Sequence, residues 1–446
     1  MLALQPFLTA YDPSDLPGSS VDPLGFDRAY TFLADKILPG LTNVASRPRY
    51  FSVLCAAIML SDETRLRSAE GETPRARYNR RLGAMLRLER FWTLACVLAS
   101  EGEEALDTGG IRGILYVVSA LKKLRETQSA RTDGEFKLLS RQMTYGMVGI
   151  YGSVADGLRF IERDTLALVP DLGGRLADAF IRETELPPVV RRATCSEDAA
   201  VGFKTLKKWA LRSHVNRLPG RDESSLLRDA FEGNDVRRRT GKLLQKVPRG
   251  AHEHELDRLR RVLSRLEDSE AEQDIAESIR VILLFEECFR LSLLVFQRLL
   301  WFCQQVPPFA LPLADAAEDS VLSRVKTQIA RCGPKLDAAI AGSQTPRFRQ
   351  ELERLADTNS FVQALATAGS TTQMIERVLA RHRDVQRAKS DGGRPKMPWL
   401  EIRNGRVVPT LSAAQRIPRG PESLSQVLAH PYRTVAADRF HRNGIA

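Results

Sequence analysis

The stretch from Asp274 to Gln305 contains neither proline nor glycine and consists mainly of apolar residues. Its length favours a helix over a strand. Its polar residues recur at helical spacings and form one narrow stripe, made of Arg280, Glu287, Arg290, Gln297, Arg298, Gln304 and Gln305. A helix that is apolar around most of its circumference needs other protein packed against it. We therefore predict a buried central helix around which the rest of the chain is organised.

A transmembrane helix is the alternative interpretation of this stretch. Glu286, Glu287, Arg290 and Arg298 would then lie within the membrane, where each charge costs about 2.5–3.5 kcal/mol on insertion scales. Glu286 and Arg290 also have the i,i+4 spacing of an ion pair on a helix surface. We therefore expect a core helix and no association with a membrane.

The length of the chain, 446 residues, exceeds what one ordinary hydrophobic core contains and indicates two or three packed subdomains. Helical patterns separated by glycine and proline predict a mainly α, multi-helical fold around the central helix, with a small C-terminal β-hairpin. The predicted segments are an irregular N-terminal arm (1-23), an N-terminal helical domain (24-190), basic helices with the central helix (191-315) and a C-terminal basic helical module with the hairpin (316-446).

Several helices have boundaries that a structure can test. Ser46 is a candidate N-cap for the helix that begins at Arg47. The predicted helices are Phe26–Leu38, one from Arg47 to about Leu60, one from Pro74 to about Ala99, Glu135–Gly149, Pro346–Ala356 and Thr371–Ala388.

The six cysteines are scattered, and none forms a C-x-x-C pair. This pattern predicts reduced, buried thiols and a cytoplasmic protein. The N-terminus has neither the basic region nor the long apolar region of a signal peptide, which agrees with that prediction.

The net charge of +11 is unevenly distributed along the chain. From Gln373 to the end, 14 Lys and Arg residues stand against 6 Asp and Glu, an excess of +8. A basic region of this kind is typical of a protein that binds a polyanion, and nucleic acid, DNA above RNA, is the partner we expect. A solubilising excess of surface charge is the alternative.

The C-terminal region combines the helix Thr371–Ala388 with a hairpin signal, Asn404-Gly405, between two alternating apolar runs. A short helix, a turn, a longer basic helix and a hairpin follow one another in winged helix-turn-helix domains. A single hairpin against a helical body gives the same pattern. On the first interpretation, the residues expected to contact phosphates are Arg377, Arg381, Arg383, Arg387, Arg394, Lys396 and Arg406.

A second candidate phosphate site lies near the N-terminus of the helix that begins near Arg47. Arg47 and Arg49 would there be combined with unpaired backbone N–H groups. The alternative is that both arginines pair with nearby acids such as Asp27 or Asp35 and fix a joint between helices.

The N-terminal sequence also carries a family resemblance. The motifs are Leu24-Gly-Phe-Asp, Leu38-Pro-Gly-Leu-Thr and Arg47-Pro-Arg-Tyr-Phe51. This stretch resembles the N-terminus of bacterial proteins of unknown function, some of them encoded beside helicase and nuclease genes in phage-defence islands. The resemblance implies a role in bacterial antiviral defence with helicase or nuclease partners, and it assigns no catalytic residues.

The sequence contains neither a phosphate-binding loop nor a G-x-S-x-G elbow, and we predict no catalytic residue, metal site or cofactor. The predicted function is a non-enzymatic, nucleic-acid-binding and partner-binding component of an anti-phage system. Two alternatives remain. One is a nuclease or other enzyme with an unrecognised site, for which His430, Asp438 and His441 are candidates. The other is an assembly scaffold.

Overall fold

The computed structural model describes residues 22–64, 73–101, 106–196, 199–266, 272–305, 309–343, 353–391, 394–410 and 420–443. About two thirds of the described residues are helical, and the strands form a few small antiparallel sheets. The predicted mainly α fold class is therefore confirmed.

The α-helices range in length from one turn to more than eight turns. In chain order they are α1 (Asp27–Ile37), α2 (Arg49–Glu63), α3 (Pro74–Ala99), α4 (Ile114–Glu126), α5 (Gln142–Tyr145), α6 (Met147–Gly157), α7 (Arg175–Glu183), α8 (Pro188–Cys195), α9 (Phe203–Ser213), α10 (Arg221–Glu232), α11 (Asp235–Lys246), α12 (Glu255–Ser264), α13 (Gln273–Cys303), α14 (Leu313–Ala317), α15 (Ser320–Ala341), α16 (Glu353–Ala366), α17 (Thr371–Ala388) and α18 (Thr434–Asn443).

The strands are short and all pair antiparallel. They are β1 (Arg131–Thr132), β2 (Ile161–Glu162), β3 (Ala167–Leu168), β4 (Val201–Gly202), β5 (Leu311–Pro312), β6 (Ser390–Asp391), β7 (Arg394–Pro395), β8 (Leu400–Arg403) and β9 (Arg406–Pro409). β1 pairs with β4, β2 with β3 and β6 with β7, while β5, β9 and β8 form a three-stranded sheet in that order.

The chain folds into two compact units, each made of two separate stretches. The first contains the described residues up to Pro39 together with Leu243–Tyr432, and the second contains Gly40–Lys242 together with the described residues from Arg433 onward. The four segments predicted from the sequence are consecutive, whereas each compact unit combines two stretches that are distant in the chain.

The predicted central helix is α13, which lies in the first unit. Arg280 and Glu287 are exposed on it, whereas most of its other side chains are buried. It packs against α1, α12, α15 and α17. The narrow polar stripe and the buried core helix are thus confirmed. Among the described helices, none combines the length and the apolar run needed to cross a membrane.

The ion pair expected between Glu286 and Arg290 is not formed. The Arg290 guanidinium instead donates to the carbonyl oxygens of Leu424 and Val427, and Glu286 accepts from His430. Glu286 and Arg290 therefore both bind the segment that precedes α18.

The predicted hairpin is present as β8 and β9 in the first unit. Asn404 and Gly405 have φ values of +50° and +71°, as a two-residue type I′ turn requires. The hairpin packs against α13 and α17. β5 pairs with β9 and adds a third strand, which the sequence did not indicate.

The second unit is built on α2, which packs against α3, α6 and α7. Its core contains the stacked rings of Tyr50 and Tyr151, whose centroids are 4.5 Å apart, and the edge of Trp92 against Tyr50. The apolar half of α3 is buried there and packs against α9. Of these core residues, Tyr151 also lines the candidate site described below.

Some predicted boundaries differ from the structure. The predicted helix Glu135–Gly149 is wrong in its first half, because regular helix begins only at Gln142 and breaks at Gly146. α2 has Pro48 at its N-cap and no capping side chain, so Ser46 does not cap it. Most of the predicted helix Pro346–Ala356 lies outside the described residues.

Candidate functional site: an arginine-lined cleft

The second unit contains a cavity of about 430 Å³, which we call the arginine cleft. Its walls come from the turn before α2, the turn before α4, the helix α6 and the helix α18. Three of its lining residues are arginines, and none of the described lining residues carries a carboxylate. The lining residues are Val44, Ser46, Arg47, Gly110, Ile111, Arg112, Gly113, Tyr151 and Arg439.

Arg47 reaches the cleft from the segment before α2. Its Nη1 atom donates to Oδ1 of Asn216 at 2.6 Å, and Asn216 in turn donates to the carbonyl oxygens of Asp107 and Gly109. Gly110, with φ +89°, lies directly against the guanidinium, since a Cβ atom there would be 2.4 Å from Nε of Arg47. The glycine is therefore required for this side-chain position.

Arg112 enters from the turn that precedes α4. Its backbone N–H donates to the hydroxyl of Tyr50 at 2.8 Å, and its Nε donates to the carbonyl of Tyr145 at 2.7 Å. Gly113 follows with φ +71° and is the N-cap of α4. Within the described part of the chain, the side chains of Arg47 and Arg112 thus bind neutral oxygen atoms only.

Arg439 reaches the cleft from α18 and is the third arginine of its lining. Its Nη1 atom donates to the side-chain and backbone oxygens of Ser46. On the same helix, Phe440 packs against Phe51 and Phe231, at centroid distances of 5.7 and 5.4 Å. The buried phenylalanine fixes α18 against the unit, and the arginine beside it faces the cleft.

Tyr151 forms a wall of the cleft and is 1% exposed. Burial raises the pKa of its hydroxyl, although Arg112, Arg47 and Arg439 act in the opposite direction. The phenol therefore stays protonated at neutral pH and can donate a hydrogen bond. Glu89 is a buried acid whose charge interacts with Arg112, and burial raises its pKa to about 7. Near neutral pH Glu89 is therefore only partly ionised, and it offsets the charge of Arg112 only in part.

Arg49, predicted together with Arg47, does not line the cleft. Its Nη1 atom is 2.7 Å from Oε2 of Glu223, and the two side chains are 2% and 0% exposed. Burial raises the pKa of Glu223, which Arg49 opposes. Of the two proposed roles, Arg49 has the structural one, with Glu223 as its partner instead of the Asp27 or Asp35 considered from the sequence.

Three of the arginines predicted to contact phosphates are engaged within the first unit. Arg377 donates to the carbonyl of Ala364. Arg381 pairs with Asp357 at 2.5 Å and donates to the carbonyl of Leu24. Arg406 donates to the carbonyl of Ala310 at 3.0 Å.

The remaining four lie in different surroundings. Arg383, exposed on α17, is 3.2 Å from Asp384, and Arg387 is exposed. Lys396 is half-buried, and the side chain of Arg394 lies outside the described residues. Glu376 is also exposed on α17, so the two exposed arginines of this helix are balanced by Glu376 and Asp384.

The histidines considered for a nuclease belong to different units. His430, in the first unit, is held by Glu286 and stacks on Tyr30 with a centroid distance of 4.4 Å. His441, in the second, is 7% exposed and packs edge-on against Phe231. In the parts of the chain that the structure describes, no group of three or more His, Cys, Asp or Glu is placed to hold a metal ion.

Two of the three cleft arginines were missed from the sequence. Gly109-Gly110 and Gly113 around Arg112 are a weak signal of a turn with positive φ. Arg439 has no local signal, because only folding brings α18 next to the turn before α2.

Comparison with known proteins gives no relative. The chain matches no protein-family model, no curated protein and no solved structure.

Proposed function

We propose that this protein is a non-enzymatic component that binds nucleic acid, and that the arginine cleft holds a phosphate of this ligand. The observation that carries the proposal is the convergence of Arg47, Arg112 and Arg439 on one cavity whose described lining has no carboxylate. Guanidinium groups bind phosphate oxygens through paired, charge-assisted hydrogen bonds. An anionic ligand would gain from these charges, and a neutral ligand would not.

The arginines of the cleft are held in place before a ligand binds. Asn216 holds Arg47 and the Tyr145 carbonyl holds Arg112, each through a single nitrogen atom. A guanidinium has five N–H donors, so the contacts with described residues leave most of them for a ligand. Side chains that are already ordered lose less entropy on binding, which favours affinity.

Nucleic acid is the class of ligand that also fits the surroundings of the cleft. The chain has a net charge of +11, which favours association with a polyanion. α4, which begins next to the cleft at Gly113, carries Lys122 and Lys123, both exposed. These lysines offer further contacts to a phosphate backbone that leaves the cleft along the helix.

The surface of α17 and the hairpin gives less support to the same function. Arg377, Arg381 and Arg406 are engaged by protein groups, and the exposed charges of α17 are balanced. The defence context and a helicase or nuclease partner rest on the N-terminal resemblance alone, and they remain part of this proposal.

Fluorescence anisotropy with labelled single-stranded and duplex DNA and RNA, at a series of salt concentrations, tests the proposal. We expect the logarithm of the association constant to fall linearly with the logarithm of salt concentration, by about 0.7 per phosphate contact on a single strand. Arg112→Gln, which removes one cleft charge, should weaken binding and make this slope shallower.

Arg163→Gln is the matched control, because Arg163 is exposed in the turn between β2 and β3 of the same unit. It removes the same charge at a site away from the cleft lining and should leave the slope unchanged. An affinity that does not depend on salt, or an equal effect of both variants, would refute the proposed role of the cleft.

A further inference from the structure

We propose that the arginine cleft recognises a terminal phosphate, the monoester at the end of a nucleic-acid strand or on a free nucleotide, in preference to a phosphate within a strand. This inference rests on the proposed function, since it specifies which phosphate the cleft holds. It follows from the charge of the cleft, its buried inner wall and the exposed apolar side chains of the helix that begins beside it.

The first argument is the balance of charge. A phosphate within a strand is a diester with one negative charge, whereas a terminal monoester carries about −1.5 to −2 near neutral pH and has three terminal oxygens. The cleft brings three guanidinium groups and the Tyr151 hydroxyl to one cavity, with no lining carboxylate among the described residues. Of the two positive charges of Arg47 and Arg112 alone, one diester would neutralise half, whereas a monoester could neutralise both.

The second argument is the shape of the cleft. Its inner wall includes Tyr151 and Ile111, which are 1% and 7% exposed. Behind Tyr151 lies the stacked ring of Tyr50, whose hydroxyl is occupied by the Arg112 backbone. If a phosphate within a strand reached this wall, the nucleotides on both sides of it would have to leave through the mouth of the cleft. A terminal phosphate has a nucleotide on one side only.

The third argument is the face of α4 that begins beside the cleft. In the first turns of α4, the exposed fractions are 82% for Leu115, 39% for Tyr116 and 49% for Val118. Exposed apolar and aromatic side chains near a phosphate site can contact the sugar and base of the terminal nucleotide without base-specific recognition. Nζ of Lys137 lies 5.5 Å from the centroid of the Tyr116 ring, which adds positive charge on that side.

The test compares two oligonucleotides of one sequence, labelled at the 3′ end, one with a 5′-phosphate and one with a 5′-hydroxyl. We expect the phosphorylated strand to bind about tenfold more tightly or better, because a monoester gains charge-assisted hydrogen bonds that the hydroxyl lacks. Arg47→Gln and Arg112→Gln should each remove this preference, and Arg163→Gln should retain it. Unchanged circular dichroism would show that the variants are folded.

Unlabelled adenosine monophosphate and adenosine, used as competitors, distinguish the two sources of a terminal phosphate. Strong competition by the monophosphate and none by the nucleoside would support the inference with a free nucleotide as the ligand. Equal affinity for both strands, with both weakened by the cleft variants, would overturn the inference and leave the proposed function intact. The absence of any binding of strands or nucleotide would overturn both.

Discussion

The buried carboxylate of Glu286 makes the stability of the first unit depend on one histidine. Glu286 is 1% exposed. It accepts hydrogen bonds from Nδ1 of His430 at 2.5 Å and from the hydroxyl of Tyr432 at 2.9 Å. Asp27 lies 3.7 Å from the other ring nitrogen of His430. The histidine is therefore the cation that compensates a buried negative charge on α13.

These surroundings change the titration of His430. Burial alone would lower its pKa, but the charges of Glu286 and Asp27 outweigh burial and raise it from 6.5 to about 9. A histidine whose pKa is higher in the folded state than in the unfolded state stabilises the folded state. This stabilisation is fully present below the pKa of the unfolded state, 6.5, and it is lost as the pH rises through about 9. Because one pKa unit corresponds to about 1.4 kcal/mol, the contribution is about 3 kcal/mol.

His430→Gln retains a hydrogen-bond donor for Glu286 but removes the positive charge. We expect the variant to be about 3 kcal/mol less stable than the wild type near pH 6 and this difference to shrink towards pH 10. Urea titrations at a series of pH values, monitored by intrinsic fluorescence, measure this difference in the free energy of unfolding. The slope of that free energy against urea concentration should be the same for both proteins.

His252→Gln is the control, since His252 is exposed and should show no such difference. A stability difference for His430→Gln that stays constant from pH 6 to pH 10 would refute the reasoning, because the loss would then come from packing against Tyr30 and Phe289 and not from charge.

Further predictions concern the second unit. Arg49→Met should destabilise the protein by about 3–5 kcal/mol in urea titrations, because it leaves Glu223 buried without a cation; a loss below about 1 kcal/mol would contradict the structural role. Gly110→Ala should weaken binding of a phosphorylated oligonucleotide, because its Cβ atom would displace Arg47. Gly152→Ala, within α6 and with open space around the added methyl group, should leave that affinity unchanged.

The sequence predicted the long helices well because their apolar periodicity is local. α3 and α17 begin and end where the pattern of residues placed them, at Pro74–Ala99 and Thr371–Ala388. The hairpin was predictable for the same reason, since Asn404-Gly405 specifies its own turn.

The segment 135–141 shows where local reasoning fails. Its residues suit a helix, but Arg90 on α3 binds the carbonyl of Gly134 and the side chain of Glu135. Gly134 itself has φ +79°. Tertiary contacts with α3 therefore hold the chain in a non-helical path, against its local preference.

The candidate site was predictable only in part. Arg47 could be singled out because it precedes a helix N-terminus, where phosphates bind. Arg112 and Arg439 come from turns and helices far along the chain, and their approach depends on Gly110, Asn216 and the packing of Phe440. A single sequence carries no signal of such long-range contacts.

A crystal structure of the protein with a 5′-phosphorylated oligonucleotide would test the central claim most directly. We predict the terminal phosphate in the arginine cleft, within hydrogen-bond distance of at least two of Arg47, Arg112 and Arg439, with the first nucleotide against Tyr116. An oligonucleotide bound along α17 and the β8–β9 hairpin, with the arginine cleft unoccupied, would contradict the claim.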